Sequence, residues 1–203
     1  MSYPKFFDLV PALRLRDPLA DFLGAFDDGV IEYRYLDAVR LAGHSCPTVA
    51  GAYWLTCRAL AALYGEALPE RGGVRVSFRD SRVNGVTGVI ANVVSLLTGA
   101  TTDTGFKGIA GRFDRRHLLS FDAEQPLELR ITRVDTGAAV DAAAHLRHVP
   151  ADPAMAPLMQ RCLAGGADAA EARRFRDLWQ ARVRSVLLDH GNDPDVFVIQ
   201  ALH

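Results

Sequence analysis

Gly43-His44-Ser45-Cys46-Pro47 stands directly before an apolar stretch, Thr48 to Tyr64, and the two together decide how this chain is read. Proline suits the first position of a helix, because the N–H it lacks is one the helix leaves unpaired there. Behind it come Val49, Ala50, Ala52, Tyr53, Trp54, Leu55, Leu60, Ala61 and Leu63. That pattern, apolar almost all round, predicts a helix buried on several sides, ended by Gly65. Cys46 then falls at the helix N-cap. The positive end of the helix dipole favours an anionic sulfur, the form that binds metals and attacks electrophiles. Residues i and i+2 of an extended segment share a side, so His44 and Cys46 are expected to face one pocket. A second reading stays open, a small buried cysteine beside a structural histidine, since two donors alone do not make a zinc site.

Upstream, residues 1–15 read as an arm that packs Phe6, Phe7, Leu9 and Val10. Asp17-Pro18 is an N-cap followed by proline, opening a short helix through Phe26. Val30 to Tyr35 alternates as a strand, and Leu36 to Ala42 is a short helical or turn segment. Downstream, Val74 to Phe78 is a strand. The polar loop Arg79 to Gly88 leads into a second apolar helix, Val89 to Leu97, closed by Thr98-Gly99. The periodicity then changes to two: His117 to Phe121, Leu127 to Val134 and Ala138 to Ala142 read as antiparallel strands, with Asp135-Thr136-Gly137 as the tight turn.

Past Pro150 the composition shifts. A short helix through Leu163 precedes a long amphipathic one, Asp168 to Asp189, with Phe175, Leu178, Trp179, Val183, Val186 and Leu187 as its apolar stripe. Arg173, Arg174, Arg176, Arg182 and Arg184 read as a solvated face paired with Glu171 and Asp177. Val196 to Ile199 adds an edge strand. The division expected is a domain over residues 1–150 and a helical extension over 151–203, packing on that domain or on a second chain. The aromatic stripe points to a homodimer.

The net charge of −1 gives no support for a nucleic-acid partner. No run approaches the length of a membrane span. Three widely spaced cysteines, Cys46, Cys57 and Cys162, argue against a disulfide framework and point to a reducing cytoplasm.

The order of parts resembles the FmdE-like family, which takes its name from a component of formylmethanofuran dehydrogenase. The resemblance covers roughly residues 30–145. Its carriers are Gly43-His44-Ser45-Cys46-Pro47 before a buried helix, the strand from Val74 with the second helix ending in Thr98-Gly99-Ala100-Thr101, the glycines from Gly105 to Gly111, and the hairpin at Asp135-Thr136-Gly137. It implies an α+β fold: a small mixed or antiparallel sheet with two buried helices packed on one face, plus the C-terminal helical extension. It also implies a metal site, with zinc the expected ion and His44 and Cys46 as ligands. The chain departs from the family pattern where a further cysteine and aspartate are usual: it has Val89 to Asn92 there, and Ala100 in a later cysteine position. The site implied is therefore an open one, completed by water or substrate.

Asp80, in a strand-to-helix loop where ligand-binding residues gather, is the candidate third ligand; an N-cap or turn role is its other reading. His117 is a weaker candidate ligand, and Asn92, an amide within a buried helix, reads either as a group that orients a ligand or as one satisfied structurally. Arg79, Arg82 and Lys107 would make the loop side positive and suit a small anionic ligand at the second helix's N-terminus. Three functions follow: a zinc protein acting on a small molecule or serving metal or redox metabolism; a metal-free enzyme with Cys46 as nucleophile and His44 as base; and a ligand-binding or scaffold protein without chemistry.

Overall fold

Pro47–Tyr64 forms one helix, α3, and the rest of the chain is arranged around it. The computed structural model describes residues 2–202. Ahead of α3 come a hairpin of β1 (Leu13–Arg16) and β2 (Val30–Tyr33), with α1 (Pro18–Phe22) between its strands, and then α2 (Tyr35–Ala42). After α3 follow β3 (Val74–Phe78), α4 (Thr87–Thr98), β4 (Leu119–Ser120), β5 (Leu129–Arg133) and β6 (Ala139–Ala144). The last part holds α5 (Met155–Leu163), α6 (Ala169–Arg184) running on into a π-helical turn over Ser185–Asp189, and β7 (Phe197–Leu202).

The main sheet has the order β4-β3-β5-β6-β7. It is antiparallel except where β3 meets β4. The α+β class with a mixed sheet is thus what the chain adopts. Helix α3 packs on the sheet through β5, β6 and β7, and α4 packs beside it. Val49, Tyr53, Leu55 and Leu60 of α3 are buried with Phe78, Leu129, Ile131 and Val140 of the sheet and with Val186, Leu187 and Phe197 from the C-terminal part. At roughly 25 cal/mol per Å² of apolar surface, burial of this kind dominates the stability of such a helix. The residues beyond Pro150 therefore share the core of the rest and complete the sheet. Trp179, expected on a face that could meet a second chain, packs on this core within the chain.

Several expectations are corrected. His117 to Phe121 is not an antiparallel strand. Only Leu119–Ser120 pairs, and in parallel with β3, because the chain between them crosses over through α4 and returns in the same direction. His117 itself has φ 58°, outside the extended range. The helix after Pro18 stops at Phe22 rather than Phe26. The strand from Val30 stops at Tyr33, since the Asp37 carboxylate accepts the Arg34 N–H at 2.8 Å and starts α2 there. In the N-terminal arm Phe7 is buried edge-on against Tyr35, but Leu9 stays exposed. Among the described residues no helix is long and apolar enough to cross a membrane.

Candidate functional site

Helix α2 ends because Gly43 adopts φ 74°, a left-handed conformation that costs glycine little. His44, Ser45 and Cys46 then make the whole connection to α3. Cys46 is the N-cap, extended at φ −146° and ψ 166°, and its sulfur accepts the Val49 N–H at 3.4 Å. The His44 Nδ1 lies 2.9 Å from the Ala42 carbonyl. A carbonyl can only accept, so Nδ1 carries a proton, and in the neutral ring the lone pair is on Nε2.

The connection is held from the far end of the chain. Trp179 Nε1 donates to the Ser45 carbonyl at 2.9 Å, and Gln180 Nε2 donates to the same oxygen at 3.3 Å. Ser45 Oγ donates to Gln180 Oε1 at 3.0 Å, which leaves the Tyr35 hydroxyl to donate to Ser45 Oγ at 2.9 Å. Tyr35 is buried, and burial pushes its pKa up and keeps the phenol protonated for that bond. Ser45, between His44 and Cys46, is thus fixed by four hydrogen bonds.

His44 and Cys46 line one cavity of about 470 Å³, with Pro47, Thr48, Val86, Val89, Leu146, Trp179 and Arg182. The expectation that the pair shares a pocket holds. His44 is exposed at its rim and Cys46 is buried in its wall. Among the described residues no hydrogen bond joins the imidazole to the sulfur. Cys57, eleven residues along α3, is a different kind of thiol: burial pushes it up to about 12, and it does not line this cavity.

Asp80 is not brought to this cavity. Its carboxylate pairs with Arg79 Nε at 3.2 Å, and Arg79 also donates to the Pro126 carbonyl. Arg82 lines a neighbouring cavity of about 590 Å³ with Val89, Asn92, Thr101 and Phe121. Lys107 is exposed and lines neither. The positive group at the site is instead Arg182, taken from sequence as part of a solvated face. Arg173, Arg174 and Arg176 are exposed as expected. Arg182, however, turns to the cavity, where its Nη2 donates to the Leu146 carbonyl at 3.4 Å. Its Nε is buried without an acceptor, and among the described residues no carboxylate pairs with it. The signal was present: Arg182 follows Trp179 by three positions, and i,i+3 residues share a helix face.

Among the described residues no three His, Cys, Asp or Glu side chains come close enough together to hold a metal ion. The donors present are an imidazole nitrogen and a sulfur, fewer than a protein-held zinc requires. They do not by themselves furnish a resident zinc site. No family model matches the chain, and no curated protein matches it.

Proposed function

We propose that this is a small-molecule-binding protein of FmdE-like type, whose ligand is a small organic anion held in the cavity at the start of α3. The observation that supports this most is the company of Arg182. A cation with no carboxylate partner among the described residues lines the same apolar-walled cavity as His44, Cys46 and Trp179. Apolar walls with a few convergent polar groups are the usual form of a small-molecule site. Arg182 holds the anionic end of the ligand. Cys46 is the reactive atom, a sulfur at a helix N-terminus. In a thiol reaction the sulfur adds to a carbonyl carbon of the ligand outside its anionic head: the S–C bond forms as the C=O π pair moves onto oxygen, and the thiol proton passes through water to Nε2 of His44, which returns it to that oxygen.

Two measurements test this reading. Hexanoate, a short carboxylate, raises the melting temperature of the wild type, and Arg182→Ala loses that rise. Iodoacetamide at neutral pH, with the labelled peptide identified by mass spectrometry, modifies Cys46 and leaves Cys57 alone. Chelator leaves the Cys46 rate unchanged. Labelling that stays slow until chelator is added replaces the thiol reading with a metal one, as does stoichiometric zinc that disappears in Cys46→Ser. Slow labelling with and without chelator removes both.

A further inference from the structure

The cavity beside His44 and Cys46 has a neighbour. A second, more enclosed chamber of about 220 Å³ lies under it, lined by Thr48, Gly51, Ala52, Leu55, Val86, Ile90, Glu128, Ala144 and Leu146. Thr48, Val86 and Leu146 line both spaces and form the threshold between them. Gly51 lets Leu146 sit there: a β carbon at Gly51 would lie 3.0 Å from Leu146 Cδ1.

Glu128 is the one acid of this chamber, and the rest of its lining is apolar apart from Thr48. Its carboxylate accepts one long hydrogen bond, from the Ala144 N–H at 3.4 Å. Among the described residues no cation pairs with it; the nearby Arg79 is committed to Asp80. A carboxylate on an apolar wall with one long bond is poorly compensated. Burial accordingly pushes its pKa up, with the Asp80 charge adding to the rise and Arg79 and the Ala144 N–H opposing it.

The outer cation and the inner carboxylate are tied to one short piece of chain. Arg182 reaches the Leu146 carbonyl and Glu128 receives the Ala144 N–H. Three residues of backbone span at most about 11 Å; with the two 3.4 Å bonds added, the charged groups lie within about 18 Å of each other, a distance a chain-like small molecule can bridge.

We infer that the ligand of the His44–Cys46 cavity extends over Thr48, Val86 and Leu146 into the inner chamber, where Glu128 receives an ammonium or hydroxyl at its far end. The ligand class is a short chain with an anionic head at Arg182, an apolar middle, and a hydrogen-bond donor as its tail. An ammonium matches best, since it compensates the ionised carboxylate. Glu128 then determines specificity, because a tail lacking the donor leaves the carboxylate unpaired, a loss of 10-fold or more in affinity. This inference rests on the cavity being a small-anion site.

The test compares 6-aminohexanoate and 6-hydroxyhexanoate with hexanoate, by calorimetric titration of the purified 203-residue chain. The wild type is expected to bind 6-aminohexanoate at least 10-fold more tightly than hexanoate, with the hydroxy acid between them. Glu128→Gln and Glu128→Ala, each first shown to melt cooperatively, bind hexanoate as before and lose the preference for the amino acid. Arg182→Ala loses all three. Equal binding of the three acids by the wild type, or a preference that survives both Glu128 variants, overturns the inner-chamber inference and leaves the outer site standing. Failure of the wild type to bind any of them overturns both.

Discussion

Two groups of charge in this molecule, one buried and one half-buried, are built on opposite plans. At one, Asp17 is 3% exposed and takes Arg115 Nη2 at 2.6 Å on one oxygen and Arg71 Nη1 at 3.0 Å on the other. The same carboxylate caps α1 through the Leu19 N–H at 2.9 Å, while Arg71 closes the end of α4 on the Leu96 carbonyl. At the other, the cleft beside α3, Arg182 and Glu128 each have one hydrogen bond of 3.4 Å and, among the described residues, no opposite charge. The first group ties the hairpin, α4 and the glycine loop to each other. The second makes only those two long bonds, to Leu146 and Ala144, and these are the charges assigned above to the proposed ligand. Pairing marks a charge as part of the scaffold; its lack, inside a cavity, marks a charge as part of a site.

That contrast can be broken by substitution. The largest effect belongs to Asp17→Ala, which strands the buried Arg115 and removes a helix cap. Breaking a buried pair costs about 3–5 kcal/mol, and urea unfolding should read a loss of that order. Trp179→Ala removes a half-buried ring and the Ser45 carbonyl bond. Full burial would set the cost at about 3–5 kcal/mol, and half-burial brings the expectation to about 2 kcal/mol, with slower, less selective labelling of Cys46. Arg182→Ala should lie within about 0.5 kcal/mol of wild type, as for substitutions that break no internal network. A loss of several kcal/mol there would mean the cleft arginine is scaffold after all.

The smallest effect sharpens the comparison through pH. The folded pKa of Glu128 is raised, so the folded state holds its proton more tightly than the unfolded chain does. Ionising it therefore costs stability as pH rises from the unfolded value of about 4.3 through the folded one, and costs nothing below that window. Glu128→Gln should melt slightly higher than wild type at pH 7 and lose that advantage near pH 4. An unchanged difference across this range would show that Glu128 is not the poorly compensated acid of the inner chamber.

Much of the architecture could be read from local pattern. The proline-opened helix at Pro47, the Asp135-Thr136-Gly137 turn, the amphipathic helix from Asp168 and the C-terminal edge strand are each specified by neighbours within a few residues. His44 and Cys46 shared a cavity for the same reason, being two apart in one connection. What the pattern did not carry was long-range. Nothing near Leu119 signals that it will meet β3 in parallel, since that follows from the crossover through α4. Asp80 and Arg79 satisfy each other locally, so a loop that looked like a source of ligands supplies none to the pair. Arg182 is 136 positions from Cys46 and Glu128 is 82 from it. Only the folded chain brings them to the same cleft.

The clamp on Ser45 sets an order of assembly. Its two helical partners, Trp179 and Gln180, leave the ribosome more than 130 residues after the sulfur does. A nascent chain thus carries Cys46 on an untethered connection for most of the synthesis of this fold. The four hydrogen bonds that fix Ser45 are complete only after α6 has been made.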